Sequence, residues 1–421
     1  MARIAPISRR TVNSALLCAL AAGCEKSPPQ PRTSPPQAGA APPTVTAVHP
    51  APPILSFDEA VANATHAVLT AAPAPEAAPA MVVIDPLVDG ITGYQSSATQ
   101  SIQDRIVALM KKEFPQYAAQ PITSQSLARQ PRFLIGTFTP INAELNATGQ
   151  RESYWFCLVM GDLKTGKIVA KSVARARMQD VDATPVAAFG DSPIWTEDPS
   201  IQAYIATCKG SKVGDPIRPE YLDGLLAAAL VSEAGNAYQE GHYAEALDLY
   251  RTARKSPAGE QLRVYNGIYL SLTKLGRSGP ATAAFGDLVD YGLRRKRLAV
   301  KFLFRPGSIR LVSDSGFSGS YDMWIRQIAS RAVADQVCLR VTGHTSPSGT
   351  AALNDRLSLL RAEYIQSRLE TDQAVLEKRI VAAGVGSREN LIGTGRDDAS
   401  DMLDRRVELN PMEPCTAGSQ A

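Results

Sequence analysis

The feature that most constrains this 421-residue chain is a polar turn followed directly by a helical pattern near its C-terminus. The turn reads VTGHTSPSG over residues 341–349, and NDRLSLLRA follows over residues 354–362. Asn354 and Arg361 are two helical turns apart, so they lie on one face. A guanidinium beside a turn rich in backbone donors predicts a site for a small zwitterionic ligand that carries a carboxylate.

Strand and helix patterns around this turn predict one domain over residues 297–412. The expected βαβαββ order is typical of a two-layer sandwich. The expected strands cover residues 299–304, 308–311, 338–341, 390–392 and 406–409, and the expected helices cover 321–334 and about 350–369. The apolar stripe expected to face the core in the second helix is Leu353, Leu357, Leu360 and Tyr364.

The motifs of this domain resemble the OmpA-like peptidoglycan-binding family. They are the G-H-T turn, the N-x-x-L-S-x-x-R-A helix and the DRRV sequence over residues 404–407, all in the family's order. The resemblance implies that the domain binds the diaminopimelate of the peptidoglycan stem peptide and that Arg361 clamps a ligand carboxylate. The other implied contacts come from Thr345, Ser346, Asn354, Leu357 and Arg405.

One implied contact departs from the family. An Asp follows the G-H-T turn there and pairs with the ligand's ammonium, whereas this chain has Ser346. Loss of a charge-assisted hydrogen bond of ~1.5–3 kcal/mol costs roughly 10- to 150-fold in affinity. Asp355 and Asp314 are possible replacements.

The first 80 residues have the pattern of an exported, lipid-anchored protein. Residues 1–23 combine a basic start with an apolar run too short to span a bilayer, which indicates a signal peptide. The sequence LAAG before Cys24 resembles a bacterial lipobox, although Ala21 stands where Leu, Val or Ile is usual. The resemblance implies acylation of Cys24 and an outer-membrane location facing the periplasm; an ordinary secretory signal is the alternative.

Residues 24–80 are expected to form a Pro/Ala-rich tether with one short helix. Ten prolines over residues 27–53 favour polyproline II. Ser56 and Glu59 form a capping box at the start of the helix, which extends to about Ala71.

Four cysteines beyond Cys24 are candidates for disulfides, because an exported protein meets an oxidising compartment. Three connectivities are possible. Cys157–Cys208 and Cys338–Cys415 are favoured, since each pair then stays within one predicted domain. No C-x-x-C motif is present to suggest a zinc or thioredoxin-like site.

Residues 81–215 are predicted to form an α/β domain. A strand, a helix, a strand and a hairpin with a D-x-x-T-G-K turn resemble the curli-secretion lipoprotein and the lipoprotein activators of penicillin-binding proteins. The hairpin tip, Gly161 to Lys167, also resembles a P-loop. However, Ile168 replaces the required Ser or Thr and the next element is β-patterned, which disfavours nucleotide binding.

Residues 216–296 are predicted to be helical. Small residues and tyrosines at Ala234, Gly235, Tyr238, Ala246 and Tyr250 resemble a tetratricopeptide repeat. A peptide-binding groove and a purely structural pair of helical hairpins are both consistent with this pattern. Residues 413–421 form a tail.

Charge and motif content exclude several functions. Removal of residues 1–23 leaves 41 basic and 41 acidic residues, so no electrostatic signal for nucleic acid remains. The four histidines are scattered and no G-x-S-x-G motif occurs, so we expect no enzyme, metal site or cofactor. We expect His344 to support the turn.

The sequence as a whole predicts an α+β multidomain, outer-membrane lipoprotein. It would bind peptidoglycan non-covalently and present its middle domains to unidentified envelope proteins. The alternatives are a periplasmic adaptor or activator whose OmpA-like domain has weak or no wall binding, and, less favoured, a wall hydrolase.

Overall fold

The computed structural model describes residues 51–179, 181–305, 307–312, 320–396, 398–413 and 415. The predicted signal peptide, Cys24 and most of the tether therefore lie outside the described residues. In the described part, no helix has the length and apolar character needed to cross a bilayer.

A six-stranded mixed sheet, here called the N-terminal sheet, organises the first part of the chain. It runs in the order β1-β6-β5-β4-β2-β3. Strand β2 is parallel to β3 and β4, whereas β4, β5 and β6 are antiparallel. The strands are β1 (Ile54–Leu55), β2 (Ala80–Ile84), β3 (Tyr117–Pro121), β4 (Arg132–Ile141), β5 (Ser153–Asp162) and β6 (Lys167–Arg177).

Helices cover both faces of this sheet, which explains the continuous apolar run in β5. Tyr154, Phe156 and Leu158 pack with helices α1 (Phe57–Ala71) and α2 (Ser97–Glu113). Cys157 and Val159 point to the other face, toward α5 (Pro199–Gly210). Two short helices, α3 (Ser124–Leu127) and α4 (Ala187–Gly190), lie in the connections.

The start of this layer differs from its sequence assignment. The capping box of Ser56 and Glu59 is present and begins α1, as predicted. However, α1 packs on β5 and β6, and β1 pairs with β6, so both belong to the sheet layer and not to a free tether. The segment from Gly161 to Lys167 is the tip of the β5–β6 hairpin and opens no helix.

Four antiparallel helices follow, in the region where helices were predicted. They are α6 (Pro219–Gln239), α7 (Tyr243–Lys255), α8 (Leu262–Lys274) and α9 (Ser278–Arg294). Gly267 allows α8 to approach α7 closely, because a Cβ there would clash with the ring of Tyr250. We call α6–α9 the helical region.

The C-terminal sheet has five strands in the order β10-β9-β11-β8-β7. Helices α10 (Tyr321–Ala334) and α11 (Ala351–Asp372) form its second layer. Its strands are β7 (Ile194–Trp195), β8 (Leu298–Val300), β9 (Cys338–Gly343), β10 (Ile380–Gly384) and β11 (Val407–Met412). Strand β7 lies in the segment predicted to belong to the first domain, residues 81–215, yet it pairs with β8. One strand of the C-terminal sheet therefore comes from outside the predicted C-terminal domain.

Three expectations for this domain are wrong. The strand predicted over residues 308–311 is reduced to a single bridge between Leu311 and Phe304. The strand predicted over residues 390–392 is not a strand, and β10 takes its place. The stripe predicted to be the core face of α11 is largely exposed, with Leu353 56% and Leu360 38% accessible. Instead α11 buries a partly polar face made of Asn354, Ser358, Arg361, Ala362, Ile365 and Leu369.

Candidate functional site

The predicted turn begins where β9 meets α11. Gly343 ends β9 against the backbone of Ser358, and a Cβ at Gly343 would clash with the Ser358 carbonyl oxygen. The backbone N–H of Thr345 donates to the carbonyl of Gly386 (2.9 Å). This close approach fixes the turn against the first turns of α11.

Asn354 holds the turn in place from the helix. Its Nδ2 donates to the carbonyl oxygens of Ser348 (3.0 Å) and Ser346 (3.4 Å). The hydroxyl oxygens of Ser346 and Ser348 lie 3.1 Å apart. Thr345 is buried, and its hydroxyl has no hydrogen-bond partner among the described residues. The turn therefore offers buried polar groups next to Asn354.

Arg361 lies on the same buried face of α11, two turns further along. It is only 5% exposed. Its Nε donates to the carbonyl of Ser308 (3.2 Å), its Nη2 lies 3.5 Å from the carbonyl of Arg305, and its guanidinium lies 4.9 Å from the ring centre of Phe304. A short hairpin of this chain, in which Phe304 bridges to Leu311, thus covers the proposed clamp.

Of the remaining predicted contacts, Leu357 lies on α11 and Arg405 lies just before β11. Leu357 is half-buried on α11. Arg405 is also half-buried, and its Nη2 donates to the carbonyl of Asp398 (2.9 Å). The structure therefore joins Asn354 to the turn, whereas the contacts described for Arg361 and Arg405 are with other segments.

Neither suggested replacement for the missing acid is seen at the turn. Asp355 is paired with Arg388 on the outer side of α11. Asp314 lies outside the described residues. Ser346 therefore provides a hydroxyl where the family resemblance implies a carboxylate.

A buried ionic cluster behind the turn was missed in the sequence. Glu408 on β11 accepts hydrogen bonds from Arg406 Nε (2.7 Å) and from Arg297 Nη2 (2.8 Å). Burial, together with the nearby charge of Arg406, lowers the pKa of His344 to about 3, so the ring stays neutral. His344 donates its backbone N–H to the Arg406 carbonyl (3.0 Å), which agrees with a supporting role for this residue. The R-x-E sequence over residues 406–408, which leads into β11, was the available signal.

The cysteines occur as the two favoured pairs. Cys338 and Cys415 form a disulfide, as predicted. Cys157 and Cys208 are buried free thiols whose sulfur atoms lie 2.6 Å apart. The second pair is therefore adjacent, but its bond remains a prediction. Among the described residues, no group of three or more His, Cys, Asp or Glu side chains is arranged to hold a metal ion.

The inner face of the helical region is occupied by the chain itself. Tyr238 donates its hydroxyl to Asp191 (2.7 Å), and Asn266 Nδ2 donates to the carbonyl of Ile194 (3.0 Å). Residues 191–198 thus lie where a bound peptide would have to lie, which disfavours the groove hypothesis for this face.

A comparison with protein families assigns one region of the chain. Residues 303–401 match the OmpA family model, so this part of the chain is an OmpA-family domain. No curated protein matches the chain.

Three solved structures illustrate the similarity. The peptidoglycan-associated lipoprotein from Burkholderia pseudomallei is 24% identical (27% of this chain and 89% of that chain covered, TM-score 0.23). The periplasmic domain of Helicobacter pylori MotB is 19% identical (27% and 72% covered, TM-score 0.23). The cell wall anchor of the T6SS from Pseudomonas aeruginosa is 21% identical (28% and 80% covered, TM-score 0.23).

Proposed function

We propose that this protein binds peptidoglycan non-covalently through its OmpA-family domain and acts in the cell envelope. The family match over residues 303–401 carries the proposal. Support comes from the site itself, where Asn354 holds a buried polar turn and Arg361 shares its helix face. No catalytic step is part of this proposal, and clearing of peptidoglycan in a zymogram would contradict that.

We infer that the ligand group at Arg361 is a carboxylate of diaminopimelate. In the free protein, carbonyl oxygens of Ser308 and Arg305 occupy guanidinium donors. A carboxylate can accept two parallel hydrogen bonds from one guanidinium and also carries the opposite charge, whereas each carbonyl is a single neutral acceptor. The ligand would therefore exchange with these carbonyls, at the cost of moving the hairpin that carries them. This cost and the uncharged Ser346 both favour weak intrinsic binding.

Sedimentation with purified sacculi tests the clamp. Arg361→Ala should reduce the bound fraction to background, because it removes the guanidinium. Arg356→Ala is the matched control, since Arg356 is exposed on the same helix. Melting curves of both variants separate lost binding from lost folding. Equal retention of a folded Arg361→Ala protein and the wild type would refute the site.

Ser346→Asp tests the missing counter-charge. It should tighten binding to sacculi roughly tenfold or more, because it restores an acceptor for the ligand's ammonium. Ser367→Asp adds the same charge at an exposed position near the far end of α11, away from the turn, and should have little effect. No gain from Ser346→Asp would argue for a different ligand in this pocket.

The proposal includes an acyl anchor on Cys24 in the outer membrane, which rests on the sequence alone. Metabolic labelling with palmitate should mark the wild type and not Cys24→Ser, and the variant should leave the membrane fraction. Labelling that persists in Cys24→Ser would exclude this anchor.

A second candidate is an envelope adaptor whose OmpA-family domain has lost wall binding. The covered Arg361 and the uncharged Ser346 favour it. In that case the α/β domain or the tetratricopeptide-like helices would contact a synthase or secretion assembly, through a surface other than the filled inner face. Absence of wild-type binding to sacculi, with Ser346→Asp binding, would favour the adaptor.

A further inference from the structure

The N-terminal sheet has an open pocket on the face that α5 covers only in part. It lies over β4, β5 and β6, beside the loop that contains Leu145, and its volume is about 330 Å³. This is within the ~300–1,000 Å³ range of small-molecule sites. We call it the Trp155 pocket. It is unrelated to the OmpA-family site and does not depend on the proposed function.

The floor and walls of the Trp155 pocket are mostly apolar. Trp155 is half-buried on β5, and it lies across from Thr139 on β4. Ile141 and Val173 flank it, and Val173 is 39% exposed. Burial of such a surface by an apolar chain or ring is favourable, because it removes apolar area from water.

Two ammonium groups line the same pocket. Lys171 Nζ donates to the carbonyl oxygens of Ser211 (2.8 Å) and Lys209 (3.2 Å). Lys209 Nζ donates to the carbonyl of Gly90 (2.7 Å). In the part of the chain that the structure describes, neither ammonium has a carboxylate oxygen within 4.0 Å.

The nearby carboxylate does not neutralise this end of the pocket by pairing. The charge of Lys209 acts on buried Asp89. However, Asp89 accepts its hydrogen bonds from Thr92 and from the backbone of Ile91. Lys171 also satisfies carbonyls at the C-terminal end of α5, which explains its position but not the open apolar volume in front of it.

We propose that the Trp155 pocket binds an anionic amphiphile, with its apolar part over Trp155 and its carboxylate or phosphate at Lys171 and Lys209. A purely apolar ligand would desolvate two charges without compensation. A small hydrophilic anion would leave the apolar floor unused. A ligand with both parts satisfies both ends of the pocket.

Tryptophan fluorescence of the full chain tests this proposal directly. Of the three tryptophans, Trp195 and Trp324 are 2% and 0% exposed, so Trp155 is the accessible reporter. We expect 11-bromoundecanoate to quench it saturably, and Trp155→Phe to abolish the quenching. The neutral 11-bromoundecanol should bind at least tenfold more weakly. Absence of saturable quenching, or equal affinity for acid and alcohol, would overturn the proposal.

Substitutions test the charged end. Lys171→Met with Lys209→Met should weaken binding at least tenfold, whereas Lys167→Met, exposed on the same strand outside the pocket, should not. Because Lys171 also contacts α5, melting curves accompany the double variant. Val173→Glu is a second variant at an accessible position, and its carboxylate should compete with the ligand. Equal weakening by Lys167→Met would overturn the assignment.

Offering the ligand in two forms distinguishes a free fatty-acid-like ligand from a lipid of a bilayer. Quenching by free 11-bromoundecanoate but not by phosphatidylglycerol vesicles with brominated chains indicates a free fatty-acid-like ligand. Lysine-dependent quenching by these vesicles indicates the lipid of a bilayer. Quenching by neither form contradicts the proposal.

Discussion

The two sheets each bury an acidic side chain, but they affect its charge in opposite ways. Burial favours the neutral form of Glu408 in the C-terminal sheet, yet Arg406 and Arg297 outweigh it and lower the pKa to about 2. Beside the N-terminal sheet, burial raises the pKa of Asp85 to about 6. At neutral pH the ion pairs of Glu408 therefore contribute to the stability of the C-terminal sheet. The N-terminal sheet depends on apolar packing, and its ionised Asp85 lowers the free energy of unfolding.

Loss of the ionised Glu408 is expected to have the largest effect. Glu408→Gln should cost about 3–5 kcal/mol of unfolding free energy at pH 7, because it leaves the buried guanidinium of Arg406 without its carboxylate partner. The folded pKa lies below the unfolded value, so this stabilisation is present above about pH 4.5 and is lost as the pH falls toward 2. Denaturant titrations should show the variant and wild type converging in that window. A constant difference would contradict the pairing.

Loss of a cysteine pair should lower the free energy of unfolding more in the C-terminal sheet than in the N-terminal sheet, as loss of a buried acid should. Cys338→Ser opens a disulfide across 77 residues and should cost about 2–4 kcal/mol. Cys208→Ser, at the pair of free thiols, should cost less in reducing buffer. Mass spectrometry after thiol alkylation tests whether the Cys157–Cys208 bond forms on oxidation. Equal destabilisation by the two substitutions would remove this contrast between the sheets.

A Gly→Ala substitution in each sheet shows how much an added methyl group destabilises that sheet. Gly343→Ala should cost about 2 kcal/mol, since its Cβ would meet the backbone of Ser358. Gly136→Ala on β4 mainly meets the flexible ends of Leu158 and Leu87 and should cost about 1 kcal/mol. Thermal unfolding of both variants measures the difference. A larger loss for Gly136→Ala would reverse the comparison.

Asp85→Asn should change the free energy of unfolding least. It should raise this free energy, whereas Glu408→Gln should lower it. The folded pKa of Asp85 lies above its unfolded value, so the free energy of unfolding of the wild type falls as the pH rises from about 4 to about 6. The Asn variant lacks this loss and should gain on the order of 1 kcal/mol at pH 7. Tyr221 can still donate to the amide oxygen, as it does to Asp85 (2.9 Å). A less stable variant at pH 7 would show that the ionised acid is needed.

The sequence predicted elements well where local chemistry determines them. The capping box at Ser56 starts α1, and the small residues and tyrosines that resemble a tetratricopeptide repeat located the helical region. Strand β3 was missed because only Tyr117 in it favours a strand and it ends in Pro121, which is compatible with an edge position only. β10 was missed because only Ile380 and Val381 favour a strand, and the Ala-Ala-Gly that follows carries little strand signal.

The placement of Asn354 and Arg361 on one helix face was predictable from the sequence, but their surroundings were not. The motif indicated that Asn354 and Arg361 share a face, and they do. The leucines of α11 were expected to form its core side. The structure buries the polar side instead, because Asn354 and Arg361 satisfy backbone carbonyls there. A hairpin that covers Arg361 through its own carbonyls has no local sequence pattern, since any residue supplies a carbonyl.

The two residues of β7 limit how this protein can be divided. Ile194 and Trp195 complete the edge of the C-terminal sheet next to β8, and Arg297 joins Glu197 to Glu408 across the same place. A truncation that starts after β7 would leave the hydrogen-bonding groups of β8 open, and open edges recruit strands from other chains. The isolated OmpA-family domain of this protein should therefore aggregate.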